Sequence, residues 1–133
     1  MRERMTTNRR IFTQGLAVLG MGAATPALAQ AKTVEVAMKQ SPKMLFVPGV
    51  VNIKSGDTVH WTNAYSTTHT VTFDPAKAAT AANAALPDGV APFDSGNIEE
   101  DGSFSHTFTA KGTYKYVCIY HEAMGMVGTV VVS

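Results

Sequence analysis

Cysteine occurs once in the 133 residues, at Cys118. A single thiol excludes an internal disulfide, and no C-x-x-C-H motif is present, which closes the usual route to covalent haem. Charge is sparse, with Asp, Glu, Lys and Arg making up 16% of the chain. Past the first ten residues the chain is mildly acidic, which gives no electrostatic footprint for nucleic acid. Long apolar runs are missing too. The one apolar stretch, residues 11–21, is too short and too rich in glycine to span a bilayer as a helix. No segment repeats another, and the length suits one small domain with its own core.

What is present begins with a leader. Arg2, Arg4, Arg9 and Arg10 precede the apolar stretch, and Ala27-Leu28-Ala29 and Ala29-Gln30-Ala31 follow it as small-residue cleavage sites. This predicts an export signal over residues 1–29, with the mature chain starting at Gln30 or Lys32. Asn8-Arg9-Arg10-Ile11-Phe12 is similar to a twin-arginine signal, and a Sec leader with adjacent arginines is the alternative. No cysteine lies near the cleavage site, so a soluble, periplasmic protein without a lipid or membrane anchor is expected. Removing four of the 11 Lys and Arg and one of the 10 acids leaves 104 residues with a net charge of about −2. In an oxidising compartment a lone thiol is open to oxidation or mispairing unless something occupies it, and a bound metal would do so.

Beyond the leader the pattern is β. Thr33-Val34-Glu35-Val36 alternates polar and apolar, and further strands are predicted over 44–48, 50–53, 58–62, 69–73, 103–108, 113–118 and 127–132. Ser55-Gly56-Asp57, Glu99-Glu100-Asp101-Gly102 and Lys111-Gly112 read as turns. Residues 74–97 read as one non-β insertion. Asp74 as N-cap and Pro75 as first residue introduce an alanine-rich helix over 76–85, ended by Leu86-Pro87-Asp88-Gly89. With few large apolar residues, the insertion belongs on the surface. The fold class expected is all-β: an antiparallel Greek-key sandwich with one short helical insertion.

The chemistry concentrates in Cys118-Ile119-Tyr120-His121-Glu122-Ala123-Met124-Gly125-Met126, between two predicted strands. Thiolate, imidazole and thioether are the soft donors that copper selects, and an electron-transfer copper site takes two His, one Cys and a weak axial Met. His69 can be the second histidine. By the two-residue period it shares the inward face with Val71 and Phe73 at a strand start, as Tyr114, Tyr116 and Cys118 share theirs. His60 should point outward, opposite Val59 and Trp61. His106, between Phe104 and Phe108, reads as a rim or satisfied histidine rather than a ligand. Zinc could use two His and one Cys, but a thioether and a β-sandwich argue against it. Cys118 and His121 as nucleophile and base lack an orienting carboxylate at a recognisable spacing.

The pattern H-x48-C-x2-H-x4-M resembles the cupredoxins, the small blue copper proteins, and most nearly the plastocyanin and pseudoazurin group. Gly56-Asp57-Thr58-Val59, Trp61-Thr62-Asn63 and Gly112-Thr113-Tyr114 with Tyr116 and Cys118 stand in their family places, so the resemblance covers all of 30–133. It implies one copper ion per chain, cycling between Cu(I) and Cu(II), with His69, Cys118 and His121 as a trigonal set and Met126 as the axial contact. Met124 is the rival axial residue. The family's M-x-G-x-V strand start favours Met126, which opens Met126-Val127-Gly128-Thr129-Val130. Three departures stand out. Thr70 replaces the asparagine that often ties the ligand loops together, Val117 replaces the tyrosine of plant-type members, and Tyr120 replaces the usual proline.

The resemblance further implies a monomeric electron carrier, not an enzyme, that docks briefly with redox proteins such as a cytochrome, a reductase or a dehydrogenase. A copper-storage or delivery protein using the same ligands is the alternative. A four-ligand site leaves no open position for a substrate.

Overall fold

The protein is described by a computed structural model covering residues 30–133. The predicted export signal over 1–29 lies outside the described residues. Among the described residues nine strands form: β1 (Thr33–Lys39), β2 (Leu45–Val47), β3 (Val50–Ile53), β4 (Thr58–Asn63), β5 (Thr72–Phe73), β6 (Phe93–Asp94), β7 (Ser103–Thr107), β8 (Gly112–Val117) and β9 (Val127–Val132). They make two sheets, one ordered β2-β1-β4-β7 and the other β3-β9-β8-β5-β6. The all-β sandwich is therefore as expected, with one refinement. Most pairings are antiparallel, but β1 lies parallel to β4 and β3 parallel to β9, so both sheets are mixed. Each parallel partner is reached by crossing between sheets, which short turns between sequence neighbours do not disclose.

Alternation in the sequence becomes alternation in burial. Val59, Trp61 and Asn63 of β4 point inward, and Val36 and Met38 of β1 join them. Gly128, Val130 and Val132 do the same from β9. The centre is aromatic. Trp61 meets Tyr116 edge-on at 5.4 Å between ring centroids, and its Nε1–H donates to the Tyr116 hydroxyl at 3.1 Å. Both side chains are fully buried, so this bond satisfies the indole donor, which has no access to water. Tyr116 lies directly over β9 at Gly128, where a Cβ would overlap the phenol ring. That glycine is required by close approach, not by its backbone angles.

The insertion over 74–97 departs from expectation twice. The predicted helix over 76–85 is reduced to turns and a 3-10 segment, Ala81–Ala84. Asp74 does cap, accepting the Ala76 N–H at 3.0 Å. The α-helix fails to form because the Ala79 and Thr80 N–H groups are drawn to the Glu122 carboxylate at 2.6 and 3.1 Å. The insertion is also not wholly non-β, since β6 pairs antiparallel with β5. Pairing edge to edge with β5, it brings Asp94 onto the Thr72 hydroxyl at 2.7 Å. Thr70 and Thr72 are consequently buried alongside His69, Val71 and Phe73, and the simple one-face-in reading of 69–73 does not hold.

At one end of the sandwich Asp57 closes the turn between β3 and β4. Its carboxylate accepts the N–H groups of Lys32 and Lys54 at 2.8 and 2.9 Å. Those bonds, the Lys32 one foremost, hold its pKa below the ordinary 3.8. A carboxyl depressed on folding contributes stability above its unfolded pKa and loses it as pH falls through the folded value. Asp57→Ala should therefore melt below wild type at neutral pH, with the gap closing as pH drops below 3.8. Gly128→Ala should cost about 1 to 3 kcal/mol of unfolding free energy, the usual penalty of overpacking, read as a lower denaturant midpoint at unchanged slope.

Candidate metal centre

His69 is positioned through its backbone. Its N–H donates to the Ile98 carbonyl at 3.1 Å, and the Ile98 N–H donates back to the His69 carbonyl at 2.7 Å. This isolated bridge stands apart from β5, which begins only at Thr72. The gap exists because the next two amides serve side chains: the Thr70 N–H points at Cys118 Sγ at 3.5 Å and the Val71 N–H at Ser95 Oγ at 2.8 Å. Asn63, at the end of β4, anchors the approach. Its Nδ2 donates to the Thr67 and Ile98 carbonyls at 2.8 and 3.1 Å, while its Oδ1 accepts the Tyr65 N–H at 3.0 Å. One buried amide thereby holds the 64–68 loop against the segment that pairs with His69.

Cys118 follows β8 directly, and the loop after it is tight. The Cys118 N–H donates to the Met126 carbonyl at 3.1 Å, and the Met126 N–H donates to the His121 carbonyl at 3.2 Å. The turn back into β9 passes through Gly125 at φ +85°, a left-handed conformation that glycine adopts without steric cost. Glu122, on a single 3-10 turn, faces away from solvent. It accepts the Ala79 and Thr80 N–H groups and the Asn83 side-chain amide at 3.1 Å. Burial alone would raise its pKa, but these three donors together prevail and lower it. The loop from Cys118 to Met126 is thus fastened to the insertion by a carboxylate.

Together these restraints bring His69, Cys118 and His121 into one cluster, with their donor atoms all within 4.8 Å of one another. Cys118 Sγ lies 3.7 Å from His69 Nδ1 and 3.3 Å from His121 Nδ1. Metal–nitrogen and metal–sulfur bonds of about 2.0 to 2.3 Å around one ion set donors roughly 3.3 to 4 Å apart, so the two sulfur–nitrogen separations fit a shared ion. His69 supplies a second sign of fit. It is fully buried, and its Nδ1 faces the Cys118 sulfur with the His121 ring centroid 5.0 Å from its own. Burial, then the neighbouring His121, depresses its pKa, which favours the neutral ring that coordination needs.

Met126 is fully buried beneath the loop, whereas Met124 is 64% exposed. His121 is half-buried at the surface, with exposed Ile119, Tyr120 and Met124 around it. The other two histidines are elsewhere, as expected. His60 bonds Glu35 at 2.8 Å on the outer face, and His106 stacks on Phe93 at 3.9 Å. Asn63 and Glu122 escape a reading for metal ligands, because neither offers a donor to the cluster and both act on backbone groups. Asn63→Ala would take the side-chain partner from the part-buried Thr67 carbonyl and from the Tyr65 N–H. It should cost about 1 to 3 kcal/mol, measured by chemical denaturation.

Residues 32–133 match the family described as copper binding proteins, plastocyanin/azurin family. Plastocyanin from Scenedesmus fuscus is 36% identical over 93 residues, covering 70% of this chain and 91% of that protein. Plastocyanin from Nostoc punctiforme is 34% identical over 127 residues, covering 92% and 89%. Among solved structures, a reduced amicyanin variant aligns with 30% identity and a TM-score of 0.58, over 76% of this chain and 82% of its own.

Proposed function

The chain belongs to the plastocyanin/azurin family of copper-binding proteins, and on that premise we propose that it is a periplasmic carrier of single electrons. His69, Cys118 and His121 would hold the ion, and Met126 would supply the thioether. The observation that carries this reading is the convergence of two imidazole nitrogens and one thiol sulfur, at 3.3 and 3.7 Å, inside a rigid sandwich. Copper, when bound, takes up or gives up one electron. The protein's part is to keep one donor geometry acceptable to both oxidation states. It does so with bonds that do not touch the ion: the His69–Ile98 bridge, the Cys118–Met126 bond and the Glu122 fastening.

Burial supports the choice between the two methionines. Met126 is fully buried and Met124 is 64% exposed, so Met126 is the one the protein could hold inside as a weak ligand. The half-buried edge of His121 is the electron port, and the exposed side chains of Ile119, Tyr120 and Met124 make a small apolar rim. A rim of that size suits brief, weak docking with a cytochrome, a reductase or a dehydrogenase. Full burial of His69 and Cys118 favours retention of the ion over hand-over to an acceptor, which supports a carrier rather than a storage or delivery protein. A site filled by four ligands would leave no open position for substrate, so no enzymatic role is proposed. The export signal over 1–29 would place the carrier in the periplasm.

Adding Cu(II) to the purified chain should give an intense blue or green colour with a reversible one-electron wave. Cys118→Ser should abolish the colour. Met126→Gln should shift band and potential, and Met124→Gln should change neither. Sensitivity at Met124 in place of Met126 would overturn the axial assignment.

A further inference from the structure

Thr70 occupies the place next to His69 where relatives often carry asparagine, and it is fully enclosed. Its Oγ1 accepts the Ile119 N–H at 3.0 Å, so one hydroxyl joins the residue after His69 to the residue after Cys118. A lone threonine hydroxyl turns freely and fixes nothing unless its own hydrogen is committed. Here it is committed. Thr70 Oγ1 lies 2.9 Å from Thr72 Oγ1, and Thr72 Oγ1 lies 2.7 Å from Asp94 Oδ1. An ionised carboxylate only accepts, so Thr72 donates to Asp94 and has no hydrogen left for Thr70. Thr70 must then donate to Thr72, which leaves its lone pair facing Ile119. Lys77 Nζ holds the other carboxylate oxygen at 2.9 Å.

The direction of every proton in the chain Ile119, Thr70, Thr72, Asp94 thus follows from the charge at its far end. We propose that Asp94, acting through Thr72 and Thr70, is a positioning residue for the copper loop. The terminal bond is charge-assisted, and bonds in series polarise one another in a dry interior. Thr72 is fully buried and Asp94 is 17% exposed, so water competes little for either. Two consequences reach the site. Ile119 is pinned beside Cys118, and Thr70 is held so that its N–H stays on the Cys118 sulfur. An N–H donor stabilises negative charge on sulfur, and that charge is greater when the ion is reduced. Holding the donor in place therefore raises the reduction potential. The insertion, poor in core-forming residues, gains a role in setting the centre's properties.

This rests on the copper reading above, and the test separates the two. Thr72→Val keeps the shape of the buried side chain and removes the relay, while Thr72→Ser keeps the hydroxyl. In the copper-loaded protein, Thr72→Val should lower the potential and shift the sulfur-to-copper band, and Thr72→Ser should restore both. In the metal-free protein, Ile119 amide exchange should speed up by roughly tenfold in Thr72→Val, as expected for loss of about one buried hydrogen bond. Thr72→Ser should keep the slow rate. Asp94→Ala should reproduce the valine result and carries the test if Thr72→Val does not fold. Wild-type potential and wild-type Ile119 exchange in the variants lacking the relay would overturn the proposal. A colourless copper product would refute the copper reading alone, since exchange in the metal-free protein still decides on the relay.

Discussion

Three donor atoms from segments 49 residues apart have to stay within 4.8 Å of one another, and nothing among the three side chains themselves can hold them. The sulfur–nitrogen separations of 3.3 and 3.7 Å are contacts, not strong bonds. The positions of His69, Cys118 and His121 are therefore imposed from outside by the backbone. Much of the molecule can be understood as meeting that requirement. Strands β5 and β8 pair at a single register point, Thr72 opposite Val117, which leaves the two donor segments adjacent but weakly laddered. The Ile98 bridge, the Asn63 amide and the Thr70 hydroxyl make up the deficit.

The restraint is divided between the core and two carboxylates. The aromatic centre, with Trp61 bonded to Tyr116 and Gly128 yielding space to the ring, fixes how β8 and β9 lie, and so fixes both ends of the loop between them. Glu122 and Asp94 then act across the surface insertion in opposite senses. Glu122 reaches from the loop into the insertion, and Asp94 sits on the insertion and faces the strand after His69. An alanine-rich segment with little core of its own is thereby ordered by hydrogen bonds to charge, which are roughly twice as strong as neutral ones.

The donors are legible in the sequence because their chemistry marks them. One cysteine, a histidine three residues on and a methionine beyond it are rare enough together to stand out, and the two-residue period puts His69 inward. Strand positions are legible for the same reason of period, as Val59 and Trp61 show. What the pattern conceals is any residue whose partner is backbone. Glu122 looks like one more loop acid, and Asp94 like part of a non-β stretch. Parallel pairing is concealed as well, since alternation in β1 or β3 is the same whichever way the neighbour runs. The predicted helix over 76–85 fails through this blindness: alanine propensity is real, but a distant carboxylate outbids the helical carbonyls for Ala79 and Thr80.

The central claim is that the protein imposes one donor geometry whatever the oxidation state. X-ray absorption at the copper edge, on loaded protein in its oxidised and reduced forms, addresses this most directly. The account predicts one short sulfur and two imidazole nitrogens in both forms, with bond lengths nearly unchanged between them. A shell without sulfur, or one that gains or loses a donor on reduction, would contradict it.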